Sequence, residues 1–327
     1  MSRLLNVQMN SWPIAGTFTI SRGSKTTAEV VTCNISESEW QGSGECVPYR
    51  RYGETIESVI SEIESVRTAV ESGMTREELA VAMKPGAARN AVDCALWDLE
   101  AKRSGISVAR TIGLSTMEPR TTAFTISLGE PEVMAAAAGA QAHRALLKIK
   151  IGTSDDESRI RAVRMAAPQS AIILDANEGW TEDNLARHLE ISAEAGIAVV
   201  EQPLPAGNDR LLATIRRPVP VCADESVHHT GDLESLRDRY DAINIKLDKT
   251  GGLTEALRMK AEGERLGFRI MVGCMVGTSL AMAPALMLAQ DAAFVDLDGP
   301  LLLSRDREPG LRYEGSLVFP PLSELWG

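Results

Sequence analysis

The sequence predicts a parallel α/β barrel behind a smaller α+β domain, and three observations carry that expectation. Between residues 119 and 299, short apolar runs alternate with helix-like segments, the pattern of a parallel sheet wound with helices. Several of those runs end on a charged residue, where a buried charge is costly unless a metal or a reaction needs it. The 327 residues are 44% hydrophobic and 24% charged, which gives ample material for a core.

From Arg3 to about Ile35 the pattern is strand-like, with T-F-T-I and T-T-A-E-V-V-T-C-N-I separated by a polar turn, S-R-G-S-K, centred on Gly23. This suggests a small antiparallel sheet. From Glu54 to Val70, Ile56, Val59, Ile60, Ile63, Val66 and Val70 recur at helical spacing. T-R-E-E from Thr75 matches a capping box and starts a second helix. A third, A-A-R-N-A-V-D-C-A-L-W-D-L-E-A-K-R, precedes Gly105. Strands followed by helices make residues 1–118 an α+β domain.

Eight strand candidates follow: T-T-A-F-T-I-S-L, A-L-L-K-I-K-I, A-I-I-L-D, I-A-V-V-E, V-P-V-C-A-D, A-I-N-I-K-L, R-I-M-V-G-C-M and F-V-D-L-D. Helices are expected between each consecutive pair, and no eighth helix is evident after Asp298. The tail, residues 300–327, reads as loop and short strands returning to the first domain.

A net charge of −11 and a pI near 5.0 leave no basic stripe to displace counterions, which argues against a nucleic-acid partner. The five cysteines are scattered and form no C-x-x-C, so neither a zinc site nor a disulfide framework is signalled, and a reducing cytoplasm is expected. The N-terminal stretch lacks the apolar core of a signal peptide, and no run approaches the roughly 20 apolar residues of a membrane span. A soluble, unprocessed chain is the expectation.

Along the barrel the charged run-ends come in the order Lys148 and Lys150, Asp175, Glu201, Asp224, then Lys246. Lys148 and Lys150 are two apart on a strand and so share a face; inside a barrel each would lower the other's pKa, leaving Lys150 a neutral base near neutral pH. On its own, K-x-K reads as two lysines snorkelling from a strand end. Asp175, Glu201 and Asp224 are hard oxygen ligands with no neighbouring His or Cys, a set suited to Mg²⁺ rather than zinc. One such Asp is usually a helix cap; three on consecutive strands, flanked by lysine strands, point to a metal site.

The runs L-K-I-K-I-G, L-D-A-N-E-G-W, V-E-Q-P, A-D-E-S and N-I-K-L-D-K-T-G-G resemble the barrel motifs of the enolase superfamily, in its muconate lactonizing enzyme subgroup. The resemblance covers nearly the whole chain. It implies a modified TIM barrel of (β/α)7β form over residues 119–299, with an α+β capping domain, residues 1–118, completed by the tail. It further implies one Mg²⁺ per chain held by Asp175, Glu201 and Asp224, with Lys150 and Lys246 on opposite faces of a substrate α-carbon and Lys148 tuning Lys150. An α-proton beside a carboxylate is very weakly acidic, so a lysine succeeds only if a divalent cation holds the resulting ene-diolate. Two bases on opposite faces then give 1,1-proton transfer, hence racemisation or epimerisation.

Two further stretches narrow the substrate by resemblance. F-V-D-L-D-G-P carries Asp296 and Asp298 where dipeptide epimerases bind the substrate's ammonium. T-I-S-R-G-S-K resembles the loop covering the mouth in those enzymes, with Arg22 where a side-chain carboxylate is bound, and Gly44 to Glu54 resembles the second capping loop. Apart from that likeness, the acids read as caps or solvated loop groups and the arginine as a solvated side chain. The implied activity is an isomerase's: epimerisation of L-Ala-D/L-Glu-type dipeptides in murein peptide recycling, with no nucleic-acid or membrane partner and room for a homo-oligomer.

Within the same fold, an N-acyl amino acid racemase, an o-succinylbenzoate synthase or a muconate cycloisomerase would use the same metal and lysines. A Schiff-base aldolase would need a lysine but not three carboxylates; a non-catalytic binding barrel would need neither lysine. None of His143, His188, His228 and His229 lies on the seventh strand, so a His-Asp base is not supported, and His228-His229 reads as the solvated start of a helix. Gly251-Gly252 reads as a tight turn, Lys249 as solvent-exposed, and Cys274 and Met275 as either pocket wall or core.

Overall fold

A computed structural model describes residues 3–327. The chain opens with a three-stranded antiparallel sheet, β1 (Arg3–Ile20), β2 (Gly23–Glu37) and β3 (Trp40–Cys46). β1 runs 18 residues because Pro13 and Gly16 are absorbed as an irregularity between Pro13 and Phe18 rather than ending the strand. Ser21 and Arg22 form the tip of this hairpin, and Gly23 pairs with Ile20. The sequence gives no strand signal for β3, since W-Q-G-S-G-E-C lacks alternation. Its two glycines are required by packing: a Cβ on Gly42 would lie 2.1 Å from the Ala95 carbonyl oxygen, and one on Gly44 2.1 Å from that of Ala91.

Those two carbonyls belong to the fourth of four helices, α1 (Ile56–Ser65), α2 (Arg67–Glu71), α3 (Arg76–Ala82) and α4 (Ala87–Ser104). The single helix expected over 54–70 is broken at Val66, whose ψ of 1° leaves the helical range. The Thr75–Glu78 capping box forms as its spacing predicts, and Gly105 closes α4 in the left-handed region at φ 69°. A one-turn helix, α5 (Val108–Thr111), leads out.

After β4 (Arg120–Thr121), the strands β5 (Phe124–Ile126), β6 (Leu146–Lys150), β7 (Ala171–Asp175), β8 (Val199–Glu201), β9 (Val221–Ala223), β10 (Ala242–Ile245), β11 (Arg269–Val272) and β12 (Phe294–Val295) pair in chain order. All seven pairings are parallel. The Ala123 N–H donates to the Val295 carbonyl at 2.8 Å and closes the ring. Around it lie α6 (Pro131–Ala140), α7 (Asp156–Ala166), α8 (Glu182–Glu194), α9 (Leu247–Thr250), α10 (Leu253–Arg265), α11 (Ser279–Leu288) and the one-turn α12 (Gly299–Leu302). Two of the expected helices are only 3-10 turns, Arg210–Ala213 and Thr230–Leu236. The first connection is bounded by prolines and contains Gly207; Gly231 sits inside the second, and both residue types disfavour α-helix.

The tail divides. Leu303 bridges to Ile14 and Arg307 donates to Glu45 and Thr32, while Trp326 and Gly327 bond α4 through the Cys94 carbonyl and Asp98. Between them, β13 (Tyr313–Glu314) and β14 (Leu317–Val318) pair with β4, not with the first sheet. Polar contacts join the capping elements to the barrel: Asp248 on α9 accepts from the Val47 N–H and from Asn90, and Arg89 donates to the carbonyls of Thr250 and Gly251.

The barrel floor explains where the charges fall. Ala123, Leu146, Ile173, Val199, Cys222, Ala242, Met271 and Phe294 form one buried apolar cluster, with one residue from each strand or its entry. Side chains alternate along a strand, so the next inward layer is two residues on: Thr125, Lys148, Asp175, Glu201, Asp224, Asn244, Gly273 and Asp296. A polar layer thus lies directly on an apolar one, at the carboxyl ends of the strands.

Candidate active site

Lys148, Lys150, Asp175, Glu201, Asp224, Lys246, Asp296 and Asp298 are all buried. Asp175 and Glu201 are register partners on β7 and β8, and Glu201 is the partner of Cys222, two residues before Asp224. The Lys148 ammonium lies 2.7 Å from Asp296 Oδ2, 2.7 Å from Glu201 Oε2 and 3.1 Å from Asp175 Oδ2. Lys150 donates to Asp175 Oδ2 at 2.6 Å, and Lys246 to Asp224 Oδ2 at 2.7 Å.

These contacts correct two expectations. Lys148 and Lys150 were expected to depress each other; instead, burial, which lowers the Lys148 pKa, is outweighed by Asp296, Glu201 and Asp175, and the value rises. Lys249, expected in solvent, is buried, because the single turn of α9 folds it back under the strand ends. It donates to Asp224 Oδ1 and to the Asp224 carbonyl, both at 2.6 Å, and to the Asn244 carbonyl at 2.9 Å.

Burial and the neighbouring Asp175 push Glu201 up to about 8, against the pull of Lys148. For Asp175 itself, burial is overcome by Lys150 and Lys148, and its carboxyl falls below the usual range. Glu201 Oε1 accepts from Asn244 Nδ2 at 2.7 Å, while Oε2, though close to Lys148, makes no hydrogen bond. As the side chains stand, no three acids, histidines or cysteines among the described residues converge on a point where an ion would sit. The donor set still fits a hard cation: three buried carboxylates end three adjacent strands, and Glu201 Oε2 makes an ion-pair contact with Lys148 but no hydrogen bond.

Above this layer is a cavity of about 700 Å³, walled on one side by residues 18–29 of the hairpin and 47–52, and on the other by Lys150, Asn177, Asp224, Glu225, Lys246 and residues 274–276. Lys150 and Lys246 are on the second and sixth of the eight strands, opposite each other in the closed ring. Cys274 and Met275 border the cavity. Asp296 and Asp298 are not among its lining residues; Asp298 Oδ2 accepts the Thr125 N–H at 2.6 Å. Burial and Asp296 push Asp298 up to about 7.

Several contacts that the sequence did not mark shape this mouth. Arg22 at the hairpin tip donates to Glu225 Oε1 at 2.7 Å, Glu178 Oε2 at 3.0 Å, the Asn177 carbonyl at 2.7 Å and the Tyr49 hydroxyl at 3.1 Å. Asn177 and Glu178 are held in the left-handed region at φ 44° and 66°, a strained backbone that turns the acceptors toward the hairpin. Tyr52 packs edge-on against His228 at 4.5 Å. Glu178 and Glu225 were visible as the acids of L-D-A-N-E-G-W and A-D-E-S, but nothing in the sequence pairs them with residue 22.

A capped barrel that gathers lysines against carboxylates at the carboxyl ends of its strands is the architecture of an enolase-type enzyme. The chain belongs to that superfamily: residues 3–113 match the mandelate racemase / muconate lactonizing enzyme N-terminal domain, and residues 132–301 the enolase C-terminal domain-like family. It is 46% identical to the L-Ala-D/L-Glu epimerase of Escherichia coli K12 over 95% of this chain and 98% of that one. It is 43% identical to an N-acetyl-D-glutamate racemase of a Pseudoalteromonas species over 90% of this chain and 93% of that one. Among solved structures it resembles an Agrobacterium tumefaciens enolase family member with homology to dipeptide epimerases, which has bound sodium and L-Ala-L-Glu, with a TM-score of 0.99, 62% identity, and coverage of 99% and 100%. An Enterococcus faecalis dipeptide epimerase complexed with Mg and L-Leu-L-Tyr matches with a TM-score of 0.90 and 28% identity over 98% of each chain. The chain is an enzyme, an isomerase of the epimerase and racemase kind.

Proposed function

We propose that this isomerase inverts the α-carbon of the second residue of L-Ala-D/L-Glu-type dipeptides by two-base proton transfer. The observation that carries the reading is the placement of Lys150 and Lys246 on the second and sixth strands, both bordering the cavity. A substrate between them presents one face of its α-carbon to each ammonium or amine, so one lysine takes the proton and the other returns it to the opposite face. Asp175, Glu201 and Asp224 would hold one Mg²⁺, which when bound supplies divalent positive charge beside the substrate's α-carboxylate. Lys148 stays protonated among its carboxylates and orients them. Asp298, with no ion-pair partner among the described residues, and Asp296, whose Oδ1 lacks a hydrogen bond, would receive the dipeptide's ammonium.

N-acyl racemisation is the second reading, favoured by the 43% identity to an N-acetyl-D-glutamate racemase. The proposed role of the two acids favours the dipeptide instead, because an N-acetyl group brings no cation to them. A place in murein peptide recycling and a cytoplasmic location follow from the dipeptide reading. The test is proton NMR in D₂O with L-Ala-L-Glu and N-acetyl-L-glutamate, before and after exhaustive chelation. Exchange and epimerisation of the dipeptide, lost on chelation and restored by Mg²⁺, is the expected result. Equal turnover of N-acetyl-L-glutamate would remove the ammonium role, and full activity of the chelated enzyme would remove the metal.

A further inference from the structure

In V-E-Q-P the residue after Glu201 has no part in proton transfer, yet it is tied to every carboxylate-bearing turn. Gln202 is fully buried, and its φ of 34° puts a side chain where glycine is usual. Its side-chain Oε1 accepts the Asp224 N–H at 2.8 Å and the Ser226 N–H at 3.1 Å. Its Nε2 donates to the Leu204 carbonyl at 2.8 Å, the Ser226 hydroxyl at 2.8 Å and the Tyr240 hydroxyl at 3.0 Å. The amide has one orientation, since the two backbone N–H groups only donate and the carbonyl only accepts. The backbone carbonyl of Gln202 accepts the Glu178 N–H at 2.9 Å. One residue therefore bonds the turns that follow Asp175, Glu201 and Asp224.

Behind Gln202, a charge sets the hydroxyls. Asp209 accepts from the Tyr240 hydroxyl at 2.6 Å and from the Ser226 hydroxyl at 2.7 Å, and Arg239 donates to its other oxygen. Each hydroxyl aims its hydrogen at Asp209 and turns a lone pair to Gln202 Nε2. Three buried carboxylates on adjacent strands repel one another, and a side chain that ties their turns opposes that spreading from outside the cavity, which Gln202 does not border. We propose that Gln202 is the positioning residue that fixes Asp224 against Glu201 and so matches the three carboxylates to a small divalent cation rather than a large one. This role rests on the cation reading above. Mg²⁺ demands near-octahedral ligands at about 2.0–2.1 Å, while Ca²⁺ accepts looser sets at about 2.3–2.6 Å. A fixed spacing discriminates between the two ions, and a slack one does not.

The test is calorimetric binding of Mg²⁺ and of Ca²⁺, each alone, to the metal-free chain, native and in Gln202→Met, Tyr240→Phe and Gly42→Ala. Gln202→Met removes the side-chain bonds and leaves the Glu178–Gln202 backbone bond, so it frees the turn at 224–226. Its ratio of Mg²⁺ to Ca²⁺ affinity should fall about tenfold or more, as when an outer partner of a ligand is lost, and the fall should lie in Mg²⁺. Tyr240→Phe, which takes one acceptor from Nε2, should move the ratio the same way by a smaller factor. Gly42→Ala, destabilised in the capping sheet, should keep it. Hydrogen–deuterium exchange of the metal-free chain should quicken at residues 224–226 in Gln202→Met. A native chain that binds neither ion defeats the cation reading, while quickened exchange at 224–226 would still uphold Gln202 as the residue that fixes Asp224. An unchanged ratio or unchanged exchange in Gln202→Met, an equal fall in Gly42→Ala, or a native chain that binds Ca²⁺ more tightly overturns the assignment. Should Gln202→Met not fold, an unchanged ratio in Tyr240→Phe overturns it.

Discussion

Lys150 and Lys246 each touch a different carboxylate and face the cavity from opposite strands, and this separation predicts how single substitutions behave. Lys150→Ala and Lys246→Ala should each abolish epimerisation, yet each should still exchange the α-proton of one epimer with D₂O, because its remaining base reaches only one face. Proton NMR on both epimers of Ala-Glu reads this directly, and normal epimerisation by either variant would remove the two-base mechanism. The charged residues themselves were legible because apolar runs seldom end on charge without reason. Their partners were not. Lys249 looked exposed since it lies beyond an apolar run, and only the single turn of α9 brings it back onto Asp224. Glu225 stands in A-D-E-S without any sign of its role, because the contact that distinguishes it, with Arg22, joins segments far apart in the chain.

At the scale of elements, periodicity exposed the barrel strands and α4 and failed where a rule was overridden by packing. β3 has two glycines where strand formers are usual, and the reason is the approach of α4 to within the radius of a methyl group. Gly42→Ala should therefore cost about 3 kcal/mol or more, at or beyond the upper end of overpacking penalties, since the obstructing atoms are helix backbone at Ala95 and Leu99 and have no side-chain rotamer to change. Urea denaturation measures it; a loss below about 0.5 kcal/mol, as at an ordinary surface site, would show that strand and helix can separate freely. The same substitution should reduce activity, because β3 leads into residues 47–52 of the cavity wall. The two missing helices around β9 were harder to foresee, since a proline-bounded segment with apolar residues at helical spacing also suits a 3-10 turn.

For the whole molecule, a chain of net charge −11 carries a mouth where six basic side chains stand among three acids, so an anionic substrate of the kind proposed would be drawn to one place on an otherwise repelling surface. Where capping elements meet the barrel, Asp248 is pushed up to about 7 by burial, against about 3.9 for an unfolded chain. The folded protein thus keeps a proton that the unfolded chain has released, and the stability this group contributes is present below about pH 4 and lost as pH rises through about 7. Asp248→Asn keeps an acceptor for the Val47 N–H without titrating, so its stability relative to the native chain should rise by roughly 2–4 kcal/mol between pH 4.5 and pH 8. Urea titrations at both pH values check this, and a difference independent of pH would contradict it.

The bond between Ala123 and Val295 that closes the barrel has a consequence for synthesis. At roughly 5–20 residues per second, on the order of ten seconds or more separate the emergence of the first barrel strand from that of the last. Until β12 arrives, the growing sheet has no ring to belong to: β5 and the newest strand each show a row of unpaired backbone groups, the kind of edge on which chains stick to one another. Lys148 also waits that long for Asp296, one of the carboxylates that make its burial tolerable. A chain interrupted before residue 294 is therefore an aggregation hazard, because its open sheet keeps both edges.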